Sequence, residues 1–191
     1  MKTLVFYGSA RKNGHTKKML NYFLEQLGDS PEDVTVIDAY RSGIGPCIDC
    51  RYCWKKRGCS VKDPMQEVYP LIDEADRIIL AAPMYFFSIP GPLKAVVDRC
   101  QVYWASRVRG DRPEEYQKTG AALFVGGAPA FEDQFDAGEI LAKHWLNDLR
   151  ARNVGMVTFS DSDRDSIEEN AEIRAQLDKL ALELKNARPV E

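Results

Sequence analysis

Long apolar runs are missing from this sequence. The longest apolar stretch, residues 78 to 93, is interrupted by Pro83, Pro90, Gly91 and Pro92, so no membrane span fits. The opening Met1-Lys2-Thr3-Leu4-Val5-Phe6-Tyr7-Gly8 loses its apolar character after a few residues, too soon for a signal-peptide core. A cytoplasmic location is the resulting expectation. Charge of one sign is scarce too. A formal net charge of −3 gives no reason to expect nucleic acid or an anionic membrane as the main partner. Histidine is rarer still, with only two residues, and no catalytic dyad or triad is visible. Repeats, low-complexity tracts and long linkers are absent as well, so one domain over residues 1–191 is expected. Apolar residues make up 45% of the chain, enough for a full core.

Strand and helix signals alternate along the chain. Residues 3–7 form a short apolar, β-rich run. Met19, Leu20, Phe23, Leu24 and Leu27 then recur at helical spacing between residues 16 and 27. Further strands are expected at 34–37, 78–82, 121–125 and 154–159. Helices are expected around Met65, Val68, Tyr69 and Ile72, around Leu93, Val96, Val97 and Cys100, and over 138–150. Ser166 and Glu169 have capping-box spacing for a last helix carrying Ile173, Leu177, Leu180 and Leu184. Five strands alternating with five helices make a parallel sheet covered on both faces. Such sheets bind ligands outside the carboxyl ends of their strands, where the strand order switches. Every unusual motif in this chain follows a strand, and so belongs to that edge.

The first motif is Gly8-Ser9-Ala10-Arg11-Lys12-Asn13-Gly14-His15-Thr16. Its hydroxyls, guanidinium and unpaired helix-terminal N–H groups suit a bound phosphate; an ordinary polar turn capped by Thr16 is the plain alternative. The spacing excludes a G-x-G-x-x-G dinucleotide fingerprint and a G-x-x-x-x-G-K-[ST] triphosphate loop. No cysteine nucleophile is present for phosphatase chemistry. A phosphate that is held and not cleaved fits best. His15 reads as a phosphate donor or a solvent-facing ring rather than an acid or base, and His144 as a packed or partly exposed residue.

The second motif, Pro83-Met84-Tyr85-Phe86-Phe87-Ser88-Ile89-Pro90-Gly91-Pro92, is stiff and aromatic, suited to a flat ring system. Gly126-Gly127 after the fourth strand lets backbone approach a planar ligand. Together, G-S-x-R-K-N-G-x-T, P-x-Y and Lys94-x-x-x-Asp98-Arg99 resemble the NAD(P)H-dependent FMN reductases of the flavodoxin-like superfamily, from the first strand through the fifth. The resemblance implies a doubly wound five-stranded sheet of order 2-1-3-4-5. It also implies an FMN-dependent oxidoreductase moving electrons between a reduced donor such as NAD(P)H and an acceptor, assembled as a homodimer or homotetramer. Ser9, Arg11, Asn13, Gly14, His15 and Thr16 would hold the FMN phosphate, although His15 stands where a small polar residue is expected. Pro83, Met84, Tyr85 and Phe86 would line the isoalloxazine, with Gly126 and Gly127 at its other edge. Lys94, Asp98 and Arg99 read as a structural ion network or subunit contact.

The third motif is Cys47-x-x-Cys50-x-x-Cys53-x-x-x-x-x-Cys59, in a loop over 43–60. Cysteines at intervals of three can wrap one iron–sulfur cubane, as in ferredoxin runs, and Cys59 could complete the site. Zinc is an alternative, though structural zinc sites set two C-x-x-C pairs well apart; free or disulfide-forming thiols are another. The spacing resembles that of the iron–sulfur flavoproteins of the same superfamily, which pair FMN with a [4Fe–4S] cluster. A non-catalytic module with a zinc-stapled loop and a phosphate ligand is the competing class. Cys100 sits on an apolar helical stripe and reads as core. The basic tip Lys55-Lys56-Arg57 would be solvated or, beside a cluster, attract an acidic redox partner such as ferredoxin. Arg107, Arg109 and Arg112 read as a solvated loop, with contact to a pyridine nucleotide as the alternative.

Overall fold

The computed structural model describes residues 1–189. In chain order the elements are β1 (Thr3–Tyr7), α1 (His15–Leu27), β2 (Val34–Asp38), α2 (Tyr52–Lys55), α3 (Met65–Glu74), β3 (Arg77–Pro83), α4 (Gly91–Arg99), α5 (Gln101–Arg109), β4 (Lys118–Val125), α6 (Asp136–Asp148), β5 (Ala151–Phe159) and α7 (Ala171–Asn186). All strand pairs are parallel, and the sheet order is β2-β1-β3-β4-β5. This is the flavodoxin-like arrangement that the resemblance implies.

Burial explains the strand sequences. β1, β3 and β4 are buried at every position, which requires near-continuous apolar residues, whereas the edge strands β2 and β5 are only partly covered. Two cores flank the sheet. Phe23, Leu27, Leu177 and Leu184 of α1 and α7 pack with Val5, Ile79 and Leu123 on one face. Ile72, Leu93, Val96 and Leu146 of α3, α4 and α6 pack with Phe6, Ile78 and Phe124 on the other.

The expected strands are present, but β3 and β4 each begin earlier, at Arg77 and Lys118. An apolar pattern stops at a charge, and these buried charges lie at the amino edge of the sheet. Arg77 is paired with Asp29 at 2.6 Å. The last helix is capped by Asn170, whose side chain accepts from the Ile173 N–H at 2.9 Å. The Ser166 carbonyl instead accepts from Glu169 and Asn170 in a separate turn, so the capping box does not form. The third expected helix is two, α4 and α5, which meet at Cys100. Arg107 and Arg109 therefore lie in the last turn of α5 rather than in a loop. The signal was weak because Val102, Tyr103 and Trp104 are adjacent instead of helically spaced. Cys100 is buried, while His144 is exposed. Among the described residues, no helix is long and apolar enough to cross a membrane.

Candidate functional site

The carboxyl edge of β1, β3 and β4 carries a pocket of about 290 Å³. Its floor is the loop between β1 and α1. Gly8 crosses the end of the sheet against α4, where any Cβ would meet the Leu93 side chain at 2.6 Å. The Tyr7 hydroxyl donates to the Arg11 carbonyl at 3.1 Å, and Ser9 Oγ accepts from the Arg11 N–H at 3.3 Å. Lys17 and Lys18 donate back to the Gly14 carbonyl, so the N–H groups of His15 and Thr16 lack intrahelical acceptors. Gly14 offers no side-chain cap, and the first turn of α1 has no acidic residue. The buried Nδ1 of His15 has no partner, nor does the Arg11 guanidinium among the described residues. A phosphate at this helix terminus would satisfy each of these groups.

The wall opposite is the P-M-Y segment. Met84 donates from its N–H to the Val125 carbonyl at 2.8 Å, which ties the segment to the end of β4. Beyond it, Tyr85 and Ser88 exchange backbone hydrogen bonds of 2.8 and 3.1 Å around Phe86 and Phe87. Both phenylalanines have positive φ, 53° and 63°, in a turn geometry that ordinarily takes Asn or Gly. Phe87 packs edge-on against Phe131 at 5.7 Å.

Of the residues expected to meet FMN, nine line this pocket: Ser9, Arg11, Gly14, His15, Thr16, Pro83, Met84, Tyr85 and Gly127. Asn13, Phe86 and Gly126 do not. Asn13 is exposed, and Phe86 is 99% exposed beyond the wall. At Gly126 a Cβ would meet Gln134 at 2.7 Å, so its small size serves packing. Ser162 and Asp163, in the loop after β5, also line the pocket and were not anticipated. The Asp163 carboxylate lies 2.8 Å from where a Gly127 Cβ would stand, and its N–H donates to the Gly127 carbonyl. The signal was available: Ser160-Asp161-Ser162-Asp163 is a polar run after a strand, at the same edge.

The four clustered cysteines line a second, much smaller pocket. All are free thiols. Cys50 Sγ lies 3.1 Å from the Ser60 hydroxyl, and that contact pulls its thiol below the ordinary value. Burial, then the neighbouring Cys47, pushes Cys53 up. Residues outside the cysteines hold the loop in place. Arg99 donates to Asp63 at 2.6 and 3.0 Å and to the Gly45 carbonyl at 3.1 Å. Gln66 donates to the carbonyls of Cys59 and Val61, Arg109 donates to that of Cys53, and Trp54 packs on Trp104 of α5. The cavity between the thiols is about 20 Å³, room for about one water. Among the described residues, no three His, Cys, Asp or Glu side chains are grouped as a metal site. A metal centre would have to draw the sulfurs inward. The cysteine pocket shares no lining residue with the larger pocket. It abuts Arg99, at the opposite end of α4 from the aromatic wall, about 12 Å along the helix.

Lys94 and Asp98 pair at 2.6 Å on α4, and Arg99 is buried on Asp63, so these residues form structural ion pairs.

The family model described as NADPH-dependent FMN reductase matches residues 1–164. The chain belongs to this family. Within it, the chain is similar to an iron-sulfur flavoprotein of Archaeoglobus fulgidus, 33% identical over 125 residues, covering 65% of this chain and 54% of the relative. It is also similar to an iron-sulfur flavoprotein of Methanocaldococcus jannaschii, 36% identical over 128 residues, covering 66% and 62%. The chain thus spans little more than half the length of these relatives. Among solved structures, it superimposes on an FMN-dependent NADH-azoreductase from Bacillus anthracis in complex with FMN. The TM-score is 0.64 at 16% identity, over 97% of this chain and all of the other, a likeness of fold.

Proposed function

We propose that this FMN reductase family member is an FMN-dependent oxidoreductase that takes electrons from NAD(P)H and passes them to a small-molecule or protein acceptor. The whole chain then acts as one flavin-binding unit. One observation carries the reading. The pocket at the switch point joins an uncapped helix N-terminus, an unpaired arginine and a buried, unsatisfied histidine nitrogen to a wall made by Pro83, Met84 and Tyr85. Ser9, Arg11, Gly14, His15 and Thr16 would hold the phosphate, the wall would face the ring, and Gly127 would let the backbone come close. Bound FMN supplies the electron chemistry, so the protein has to bind, orient and exclude water. The test is a flavin titration followed by NADH and NADPH oxidation with a quinone acceptor. A chain that binds no FMN overturns the reading.

The cysteine loop supports a finer proposal, that Cys47, Cys50, Cys53 and Cys59 hold one [4Fe–4S] cluster. Four thiols lining a single pocket are the donor set such a cluster takes, and relatives named as iron-sulfur flavoproteins agree with it. A ferredoxin is then a fitting protein partner, and a homodimer or homotetramer the expected assembly. The second reading is a cluster-free NAD(P)H-dependent FMN or quinone reductase. It is favoured by the small space between the thiols.

A further inference from the structure

A second cavity, of about 440 Å³, opens between α3, α5 and the amino edge of the sheet, where β4 begins. That is the size of a small-molecule site. It shares no lining residue with the pocket at the carboxyl edge. Five cations line it: Arg57, Arg109, Arg112, Lys118 and Arg150. Three carboxylates, Asp73, Asp111 and Asp148, stand against them, which leaves a surplus of two positive charges.

The pairing is uneven. Asp111 is taken by Arg109 and Arg57 at 2.9 to 3.1 Å, and Asp73 accepts from the Tyr103 hydroxyl at 2.9 Å. Arg112 donates to the Asp148 carbonyl at 3.3 Å and reaches its carboxylate at 3.5 Å, a carboxylate that Arg107 also approaches at 3.9 Å. Arg150, 8% exposed, gives Nε to the Glu115 carbonyl and lies over the Tyr116 ring, with no carboxylate of its own. Lys118 is 4% exposed; its N–H donates to the Arg150 carbonyl at 3.2 Å, but its ammonium has no hydrogen-bond or ion-pair partner among the described residues. Burial holds the Lys118 ammonium below its ordinary pKa, with Asp73 and Asp76 acting the other way. Burial also lowers Arg112, with Arg150 beside it. Unpaired buried cations are costly unless an anion completes them.

We propose that this cavity binds a phosphate monoester, a small organic dianion whose phosphate sits among Lys118, Arg112 and Arg150. Two negative charges match the surplus, and guanidinium and ammonium donors are the groups that recognise phosphate oxygens. The cavity exceeds a bare phosphate, and Tyr69, Pro70 and Leu149 give the remainder an apolar side for an organic group. The proposal does not depend on the flavin reading.

The test uses inorganic phosphate as the probe, titrated calorimetrically into protein carrying one equivalent of FMN, so that the carboxyl-edge loop is filled and no excess FMN competes for this cavity. Flavin absorbance reports separately whether FMN is bound. The expected result is one phosphate per chain, weakened at least about tenfold (about 1.4 kcal/mol) by Lys118→Met and by Arg112→Gln, with FMN affinity unchanged in both. Lys118→Met keeps the apolar stem, and Arg112→Gln lies nearer the rim, so one variant remains informative if the other fails to fold. No phosphate binding at millimolar concentration, or binding indifferent to both substitutions, would overturn the proposal. A change in sedimentation coefficient without a change in phosphate binding would overturn it too, and would identify the cavity as a contact between copies of the chain.

Discussion

Arg11 extends from the phosphate loop with its charge unanswered, which is the expected state of a residue waiting for an anion. Arg11→Ala should weaken FMN binding by about 1.5–3 kcal/mol, the range for a charge-assisted hydrogen bond, read by fluorescence titration; unchanged affinity would remove the phosphate from this loop. Arg99 is the opposite case, a buried cation whose two terminal nitrogens hold the cysteine loop. Arg99→Met strands Asp63 and should cost about 3 kcal/mol in denaturant unfolding. Burial pushes the Asp63 carboxyl up, but hydrogen bonds from Arg99 and the Gly45 N–H outweigh it and hold it low. A carboxyl depressed in the folded state stabilises above its unfolded value, near about 3.9, and loses that contribution as pH falls further. Stability that already declined between pH 7 and pH 5 would therefore not trace to this pair. That Ser9, Arg11 and Thr16 would share one pocket was legible, because they follow one strand in a single short loop. Asn13, Phe86 and Gly126 lie outside the pocket lining, because a motif fixes neighbours in sequence, not the direction each side chain takes.

At the level of elements, the turn through Phe86 and Phe87 departs most from local preference. Two bulky residues in the left-handed region cost about 1–2 kcal/mol each, and such strain persists where the surroundings impose it. Phe86 is nearly fully exposed, so no packing is lost by replacing it. Phe86→Asn should raise stability by about 1 kcal/mol in thermal unfolding, whereas Tyr85→Ala should alter flavin affinity or reduction potential with the fold intact. A destabilised Phe86→Asn would show that the turn is not strained. Strand cores were legible because β1, β3 and β4 are buried on both faces and read as unbroken apolar runs. Their charged first residues were not, since Arg77 and Lys118 are tolerated only through the geometry of the amino edge. α5 escaped notice because it packs a cluster of adjacent aromatics rather than a stripe.

For the molecule as a whole, alternation of strand and helix was enough to give the sheet, and the rule of the carboxyl edge was enough to expect a pocket there. The place of the cysteines was not, because it depends on where Arg99, Gln66 and Arg109 draw the loop, and those residues lie outside it. Anaerobic reconstitution with iron and sulfide should load about four irons per chain, with a paramagnetic signal after reduction. Failure to take up iron leaves the cluster-free reductase as the better reading. The anchoring of the loop has an evolutionary consequence. Its path is held by an arginine, a glutamine and a second arginine, none of which is a thiol, so selection can discard the cysteines one by one without dissolving the scaffold. A lineage could thus trade a metal centre for bare side chains and keep its flavin pocket.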